Sequence, residues 1–393
     1  MITIVDKSDC CGCTACASVC SHAAISMTED EEGFKYPVVD TDSCVGCGLC
    51  ERVCPVLRYD KLENKDANPD VYALHSKDIF TWSNSSSGGV FSSLVRWTFN
   101  QGGCVFGVKY DKQLRVVHGK AETWDEALAF RGSKYVQSNL DGIYKQVKEE
   151  LKKDRYVLFS GNPCQCEGLR GYLLKSYEKL IIVDIMCHCV PSPKVFSDYI
   201  DFIEKKARKK IGSIYMKDKT FGWGQQSPRI QFQDGEEWFN TPESRLWNQI
   251  FYSQLVSRPS CHKCRFTHYL HPGDITIGDF WGIEKNHADF FDKKGISLLF
   301  ANTRKGQAVF KAIQSDFEYI ESDTQRCVQP NLLHAVEPSN LRARFWEEYS
   351  RFRFRKMCTR YFGYEHKSIL RGRLEECIRR IKSRCKRLFL QKN

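Results

Sequence analysis

Apolar residues along this chain recur in two alternating rhythms from about Val71 to Phe300. Short continuous runs, "YVLFSG" (156–161) and "LIIVDIM" (180–186), predict central strands, because a strand covered on both faces has no polar side to present. "DVYALHS" and "GCVFGVKYD" add further strands. Between them "GGVFSSLVRWTFNQG", "LDGIYKQVKEELKKD", "CEGLRGYLLKS" and "SPKVFSDYIDFIEKKARKK" read as helices. Strands and helices taking turns predict an α/β fold, a mixed sheet with covering helices. The stretch from Lys217 to Phe300 holds more Gly, aromatic and turn residues and predicts further strands and loops, whereas from Ser339 onward the chain is Arg-rich and helical, with a break at "YFGYEHK".

In front of this body stands an internal repeat. "CCGCTACASVCSHAAISM" and "SCVGCGLCERVCPVLRY" align cysteine for cysteine, Cys10, Cys13, Cys16 and Cys20 against Cys44, Cys47, Cys50 and Cys54. Between them "EEGFKYPVVDTD" predicts a short strand after a Gly turn. The expected organisation is a small α+β module of bacterial-ferredoxin type over 1–58, a polar linker over 59–70, the α/β body over 71–338 and a basic helical tail over 339–393.

Composition sharpens the picture. The chain has 393 residues, 20 of them cysteine, and no basic leader or long uncharged apolar run marks it for export or membrane spanning. The expected compartment is therefore the cytoplasm, where dense thiols bind metal rather than form disulfides. The net charge of +11 is uneven: residues 341–393 carry 17 Lys and Arg against 5 Glu, so the rest of the chain is close to neutral.

The repeated spacing C-x2-C-x2-C-x3-C, followed in the second copy by Pro55, is that of two [4Fe–4S] clusters. Three closely spaced thiolates wrap one cube and the fourth crosses to the other. Cys10, Cys13, Cys16 and Cys54 are thus expected on one cluster, and Cys44, Cys47, Cys50 and Cys20 on the second. A pair of zinc sites is the competing assignment. Cys11 falls outside the spacing and is expected to carry no iron.

Further motifs, "SNSSSGGVFSSL", "RGSKYVQSNL", "VLFSGNPCQCEGLRGYL", "VDIMCHCVPSPKVFSDYI" and "CHKCRF" with "GDITIGDFWGIEK", keep one order from residue 1 to about residue 300. Together they resemble the coenzyme F420 hydrogenase/dehydrogenase beta-subunit family. The resemblance implies an oxidoreductase that contains FAD and passes electrons between iron–sulfur clusters and the flavin, and from there to a two-electron acceptor. It also implies a third [4Fe–4S] cluster in the body, for which Cys164, Cys187, Cys261 and Cys264 are the expected ligands. Zinc, a redox dithiol and plain buried cysteines compete for these four. Three positions depart from the family pattern, Asn162 for Thr, Cys166 for an apolar residue and Cys189 for Gly, and the two extra thiols leave the ligand choice open.

For the flavin, small residues before a helix leave backbone N–H groups open to an anion. Ser86, Ser87, Gly88 and Gly89 are candidates on that ground, with a plain serine cap as the alternative. Ser133 and Lys134 add a hydroxyl and a point charge, and Asp279 and Trp281 in "GDFWG" follow an apolar strand where an aromatic ring can stack on a flavin or simply fill the core. His188 is the candidate proton donor or acceptor, against a loop-ordering role.

The tail places Leu370, Leu374, Cys377, Ile378, Ile381, Cys385 and Leu388 on one helical stripe. An anionic membrane surface, an acidic partner or the protein's own body would each suit it, and nucleic acid is disfavoured for want of a recognised nucleic-acid fold. The expected function is an iron–sulfur flavoprotein oxidoreductase, cytoplasmic and a candidate for peripheral attachment at the inner membrane surface. Its expected partners are an electron-carrying protein, a ferredoxin or oxidoreductase subunit, and a small-molecule acceptor, a deazaflavin or an unidentified organic substrate. The competing reading is an electron-transfer adaptor without a flavin site.

Overall fold

A computed structural model of the chain describes residues 1–59, 68–225 and 227–364. The stripe over 370–388 and most of the 59–70 linker lie outside the described residues.

In the cysteine module, α1 (Ala15–Val19) follows the first three cysteines of the first run, β1 (Ile25–Glu29) pairs antiparallel with β2 (Lys35–Val39), and α2 (Leu49–Arg52) carries Cys50. The predicted strand is β2. Its partner β1 escaped the sequence reading because "AISMTE" sits directly behind the cysteine run with no turn residue to announce it.

The body opens with β3 (Asp70–Ser76), α3 (Ile79–Ser83), α4 (Val90–Asn100), β4 (Cys104–Tyr110), β5 (Val116–Ala121), α5 (Trp124–Ala127) and α6 (Ile143–Lys152). It continues through β6 (Val157–Gly161), α7 (Pro163–Leu173), β7 (Leu180–Ile185), α8 (Pro193–Ala207), β8 (Ile211–Asp218), β9 (Ser227–Phe232), β10 (Glu237–Phe239) and α9 (Pro242–Tyr252). Last come β11 (Ile275–Asp279), α10 (Ile283–Asn286), β12 (Ser297–Ala301), α11 (Arg304–Ile313), β13 (Phe317–Ser322), α12 (Arg342–Tyr349) and α13 (Phe354–Phe362).

Eight strands form one mixed sheet in the order β13-β3-β12-β11-β7-β6-β4-β5. The two continuous apolar runs occupy its middle as β6 and β7. Their alternation explains why both are apolar throughout. Val157, Phe159 and Ile182 face α6, α7 and the cysteine module, while Leu158, Ile181 and Val183 face α4 and α11. The antiparallel strands β10-β9-β8 form a separate sheet, which closes a second core with α8, α9, α12 and α13 around Trp247, Phe232 and Phe345. Helix α9 is a correction to the 217–300 reading of strands and loops: the Thr241/Ser244 capping box and Pro242 start a helix whose apolar face, Leu246, Trp247 and Ile250, is fully buried.

Strands β3, β4, β6, β7 and β11 point the same way. The segments that leave them therefore emerge at one edge of the sheet, which gathers the Ser85–Gly89 turn, Cys164 at the start of α7, Cys187, and Asp279 at the end of β11.

Helix α7 seats the cysteine module through two glycines on one face. A Cβ at Gly168 would stand 2.9 Å from the Cβ and Sγ of Cys13, and one at Gly171 would stand 2.4 Å from the carbonyl oxygen of Val53. Ala at position 171 gains about 1 kcal/mol of helix propensity but overpacks a backbone contact at a cost of about 1–3 kcal/mol. Gly171→Ala is expected to lower the thermal unfolding midpoint and to speed proteolysis between module and body; an unchanged or raised midpoint would contradict this packing.

Candidate electron-transfer and cofactor site

The cysteines of the module grade from surface to interior. Cys47 is exposed, Cys20 and Cys44 are half-buried, and Cys13, Cys16, Cys50 and Cys54 are buried. Cys13 senses Cys16 and Cys54, and Cys16 senses Cys10 and Cys54, so these four thiols lie near one another, with Cys11 among them. Burial pushes the thiol of Cys16 up to about 12 and that of Cys54 up to about 11.

Backbone N–H groups meet these sulfurs. Ala17 donates to Cys16, Leu57 and Val56 to Cys54, and Ile2 to Cys50 at 3.3 Å. Donors aimed at sulfur in a dry pocket suit a thiolate-ligated cluster, whose charge they share. The donor set thus fits two iron–sulfur cubes. Among the described residues no three His, Cys, Asp or Glu side chains close on a point sized for a single ion.

The body supplies a second set. Cys164 lies in the first turn of α7 rather than in a loop, because Asn162 caps the helix and Pro163 starts it. Cys187 follows β7 in a loop, and Cys261 sits within the 3-10 turn Pro259–Lys263, with Cys264 just after it. Cys164 feels Cys264 and Cys187, and Cys187 feels Cys261 and Cys264, so the four expected residues gather in one place. Val190 N–H meets Cys261 Sγ at 3.4 Å, and burial pushes that thiol up to about 12. Of the extra thiols, Cys189 stays near Cys261 and Cys187. Cys166 is fully buried and points its thiol at the carbonyl of Val183, away from the set.

Cys11 is the seam between the two sets. Its sulfur accepts hydrogen bonds from the thiols of Cys13 and Cys164, which hold it well below the ordinary thiol range. The sequence offered no sign of this, since Cys11 and Cys164 meet only after folding.

The other site candidates converge in part. Ser133 N–H donates to Ser86 Oγ at 3.1 Å, and Ser133 is bonded to Tyr135, which senses Asp279. Asp279 pairs with Lys217 at 2.6 Å and accepts from Trp223 Nε1 at 2.6 Å. Trp281 lies half-buried against Trp223, their rings 4.5 Å apart and nearly parallel, with Lys217 Nζ 4.7 Å over its ring. Its neighbour Phe280 is fully buried core. Lys219 donates to the carbonyls of Trp82 and Ser87, linking the serine turn to this cluster. Burial lowers Lys217, and burial with the nearby Lys217 charge lowers Lys219 to about 7.

Other candidates are tied inward. Gly88 N–H is taken by Ser297 Oγ at 2.8 Å, and a Cβ there would stand 2.2 Å from the carbonyl oxygen of Leu74. Gly89, at φ +98°, caps α4. Lys134 turns its ammonium onto the carbonyls of Ala129, Arg131 and Gly132. His188 donates from Nδ1 to Asn331 Oδ1 at 3.0 Å and accepts from Gln254 Nε2 at 2.8 Å, with both ring nitrogens occupied. Sequence reading missed Lys217, Lys219, Trp223 and Tyr135, because Lys217 finds its carboxylate 62 residues away. A cavity of about 470 Å³ lined by Gly224, Gln225, Arg245 and Tyr252 adjoins Trp223. A larger one, about 930 Å³, opens at the opposite edge of the sheet beside Arg58, Arg170, Asp274 and Lys305, and none of the candidates lines it.

This is the arrangement of an iron–sulfur electron-transfer protein on an α/β scaffold. Residues 154–325 match the family described as the C terminus of the coenzyme F420 hydrogenase/dehydrogenase beta subunit, and residues 9–57 match the 4Fe-4S dicluster domain. The body thus carries a region of that beta-subunit family, with a ferredoxin-type dicluster domain in front of it. Among solved structures it resembles a chain of the F420-reducing [NiFe] hydrogenase complex from Methanosarcina barkeri, studied by xenon derivatization, at 16% identity and a TM-score of 0.45 over 74% of this chain and 91% of that one. A likeness so distant adds nothing to the reading of the site. No curated protein matches. Among the described residues no helix is long and apolar enough to cross a membrane.

Cys10→Ser is expected to lose one cluster of the dicluster domain, seen as a fall of about four irons on anaerobic reconstitution. Cys166→Ala and Cys11→Ser should keep the iron of that domain; loss of iron from Cys166→Ala would contradict its place in the core.

Proposed function

We propose that the chain is an iron–sulfur flavoprotein oxidoreductase that passes electrons between a protein partner and a two-electron organic acceptor. The observation that carries this reading is that Cys11 bonds Cys13 of the module and Cys164 of the body, so the two cysteine sets meet, while Met186, next to Cys187, packs on Gly278 beside the Lys217–Asp279 pair. When bound, the clusters supply one-electron steps and FAD supplies the exchange with a two-electron acceptor.

The remaining work belongs to the chain. Cys47 is exposed and Cys44 half-buried, within reach of a ferredoxin or a partner oxidoreductase. Cys164, Cys187, Cys261 and Cys264 are the thiols that would hold a core cluster. Lys217 and Lys219 offer positive charge to a flavin pyrophosphate, and Trp281 on Trp223 offers a flat face to its ring. Asp279 fixes Lys217 between the two. Ser86, Ser87 and Ser133 shape the rim, while Lys134 braces the turn that carries Ser133. With both nitrogens engaged, His188 orders the loop that follows Cys187.

Anaerobic reconstitution with iron, sulfide and FAD tests the proposal. About twelve irons and one flavin per chain are expected. About eight irons with no flavin would return the chain to the adaptor reading. Lys217→Met and Asp279→Asn should each weaken FAD binding at least about tenfold, or about 1.4 kcal/mol, without loss of iron.

The sign of the pH dependence follows from Lys219, which is charged below about 7 and neutral above it. FAD affinity should therefore fall as pH rises through 7, by up to about tenfold per unit, and Lys219→Arg, which keeps its charge, should flatten that profile.

A further inference from the structure

The loop that carries Cys261 and Cys264 begins with an arginine whose side chain is almost wholly buried, Arg258, 1% exposed. Its guanidinium reaches back into the dicluster domain. Nε donates to the carbonyl of Cys10 at 2.7 Å, Nη2 to the carbonyl of Lys35 at 2.9 Å, and Nη1 to Gln137 Oε1 at 2.9 Å. Nη2 also lies 3.6 Å from Cys10 Sγ. The plane stacks over Tyr36 at 4.4 Å and Phe34 at 5.2 Å. Gln137 in turn donates to the carbonyl of Cys11 at 3.0 Å, so one side chain and its amide partner hold both residues of the Cys10–Cys11 pair.

Among the described residues no carboxylate forms an ion pair with Arg258. Glu32, two residues from Phe34, is bound by Arg342 instead. A buried guanidinium facing only carbonyls, an amide and aromatic rings lacks its counter-charge, and such an arrangement is costly unless an anion completes it. The sulfurs within reach are that of Cys10, 3.6 Å from Nη2, and that of Cys11, whose thiol the same guanidinium also helps to hold down; Cys10 is the one expected to carry iron. A cube held by four thiolates is negative in both oxidation states and more so when reduced, so a fixed cation at one ligand favours the reduced form.

We propose that Arg258 is a positioning residue that raises the reduction potential of the cluster bound through Cys10 and sets that cluster's place relative to the thiols of the following loop. One electron enters the cube and no proton or bond change accompanies it. The inference needs only the dicluster domain, so it stands or falls separately from the flavin and from a third cluster.

The test is a redox titration of the anaerobically reconstituted full chain, followed by the electron paramagnetic resonance of the reduced clusters. Arg258→Gln should disfavour reduction of one cluster about tenfold, a fall of ~59 mV for a one-electron couple, and leave the cluster of Cys44, Cys47, Cys50 and Cys20 unmoved. Arg258→Lys should restore most of the lost potential. If Arg258→Gln fails to fold, Gln137→Glu decides: it sets a carboxylate against the intact guanidinium and should also lower the potential of the same cluster. Wild-type potentials in a fully iron-loaded Arg258→Gln or Gln137→Glu would overturn the proposal, as would an equal shift of both clusters.

Discussion

The seating of the cysteine module on the body is the constraint from which the rest follows. Thiols that gather in a dry interior resist ionisation and stay neutral there, and a metal cluster or a cation is what would make them thiolates. The fold meets this by close approach. Gly168 and Gly171 let α7 come up against Cys13 and Val53, and Arg258 reaches across the same boundary from the other side. Burial of a guanidinium without a carboxylate costs several kcal/mol, and its charge-assisted hydrogen bonds to the carbonyls of Cys10 and Lys35 and to Gln137, about 1.5–3 kcal/mol each, offset much of that. Negative charge at Cys10 adds to the balance.

The sheet converts that seam into a direction. Because β3, β4, β6, β7 and β11 run the same way, their outgoing loops share one edge. The Cys164 set and the Lys217–Asp279 pair lie at that edge, and the module packs on the sheet face beside them, against α6 and α7. Met186 ties the last two, since it packs on Gly278, and Gln329 bonds both its sulfur and the carbonyl of Asp279. The smaller sheet and helices α8, α9, α12 and α13 take no part in the cysteine clusters. They hold Trp247, Phe251 and Tyr135 in place, and through Tyr135 they reach the pocket around Ser133.

Electrostatics divides the two ends of this line. At the cysteine end burial raises the thiols, so uptake of metal must displace protons. At the other end burial lowers Lys217 and Lys219, and a bound anion would restore their charge. Each end is therefore poised to gain from a ligand of the chemistry proposed for it.

Two features were legible in the sequence because they are local. The cysteine spacing names its cofactor, since a cube accepts thiolates only at certain separations, and the two unbroken apolar runs mark β6 and β7, since only strands buried on both faces are apolar at every position. The helices α4, α6, α7 and α8 were legible for the same reason of periodicity. What tertiary structure alone decided is which distant residues meet. Cys11, surplus by spacing, became the contact between two cysteine sets; Lys217 met a carboxylate 62 residues on; and Arg258 closed on a cysteine 248 residues earlier. No local pattern encodes such pairs, because their partners are chosen by how the sheet edge and α7 bring separate loops together, and a charge or thiol reveals its role only once its surroundings have been emptied of water.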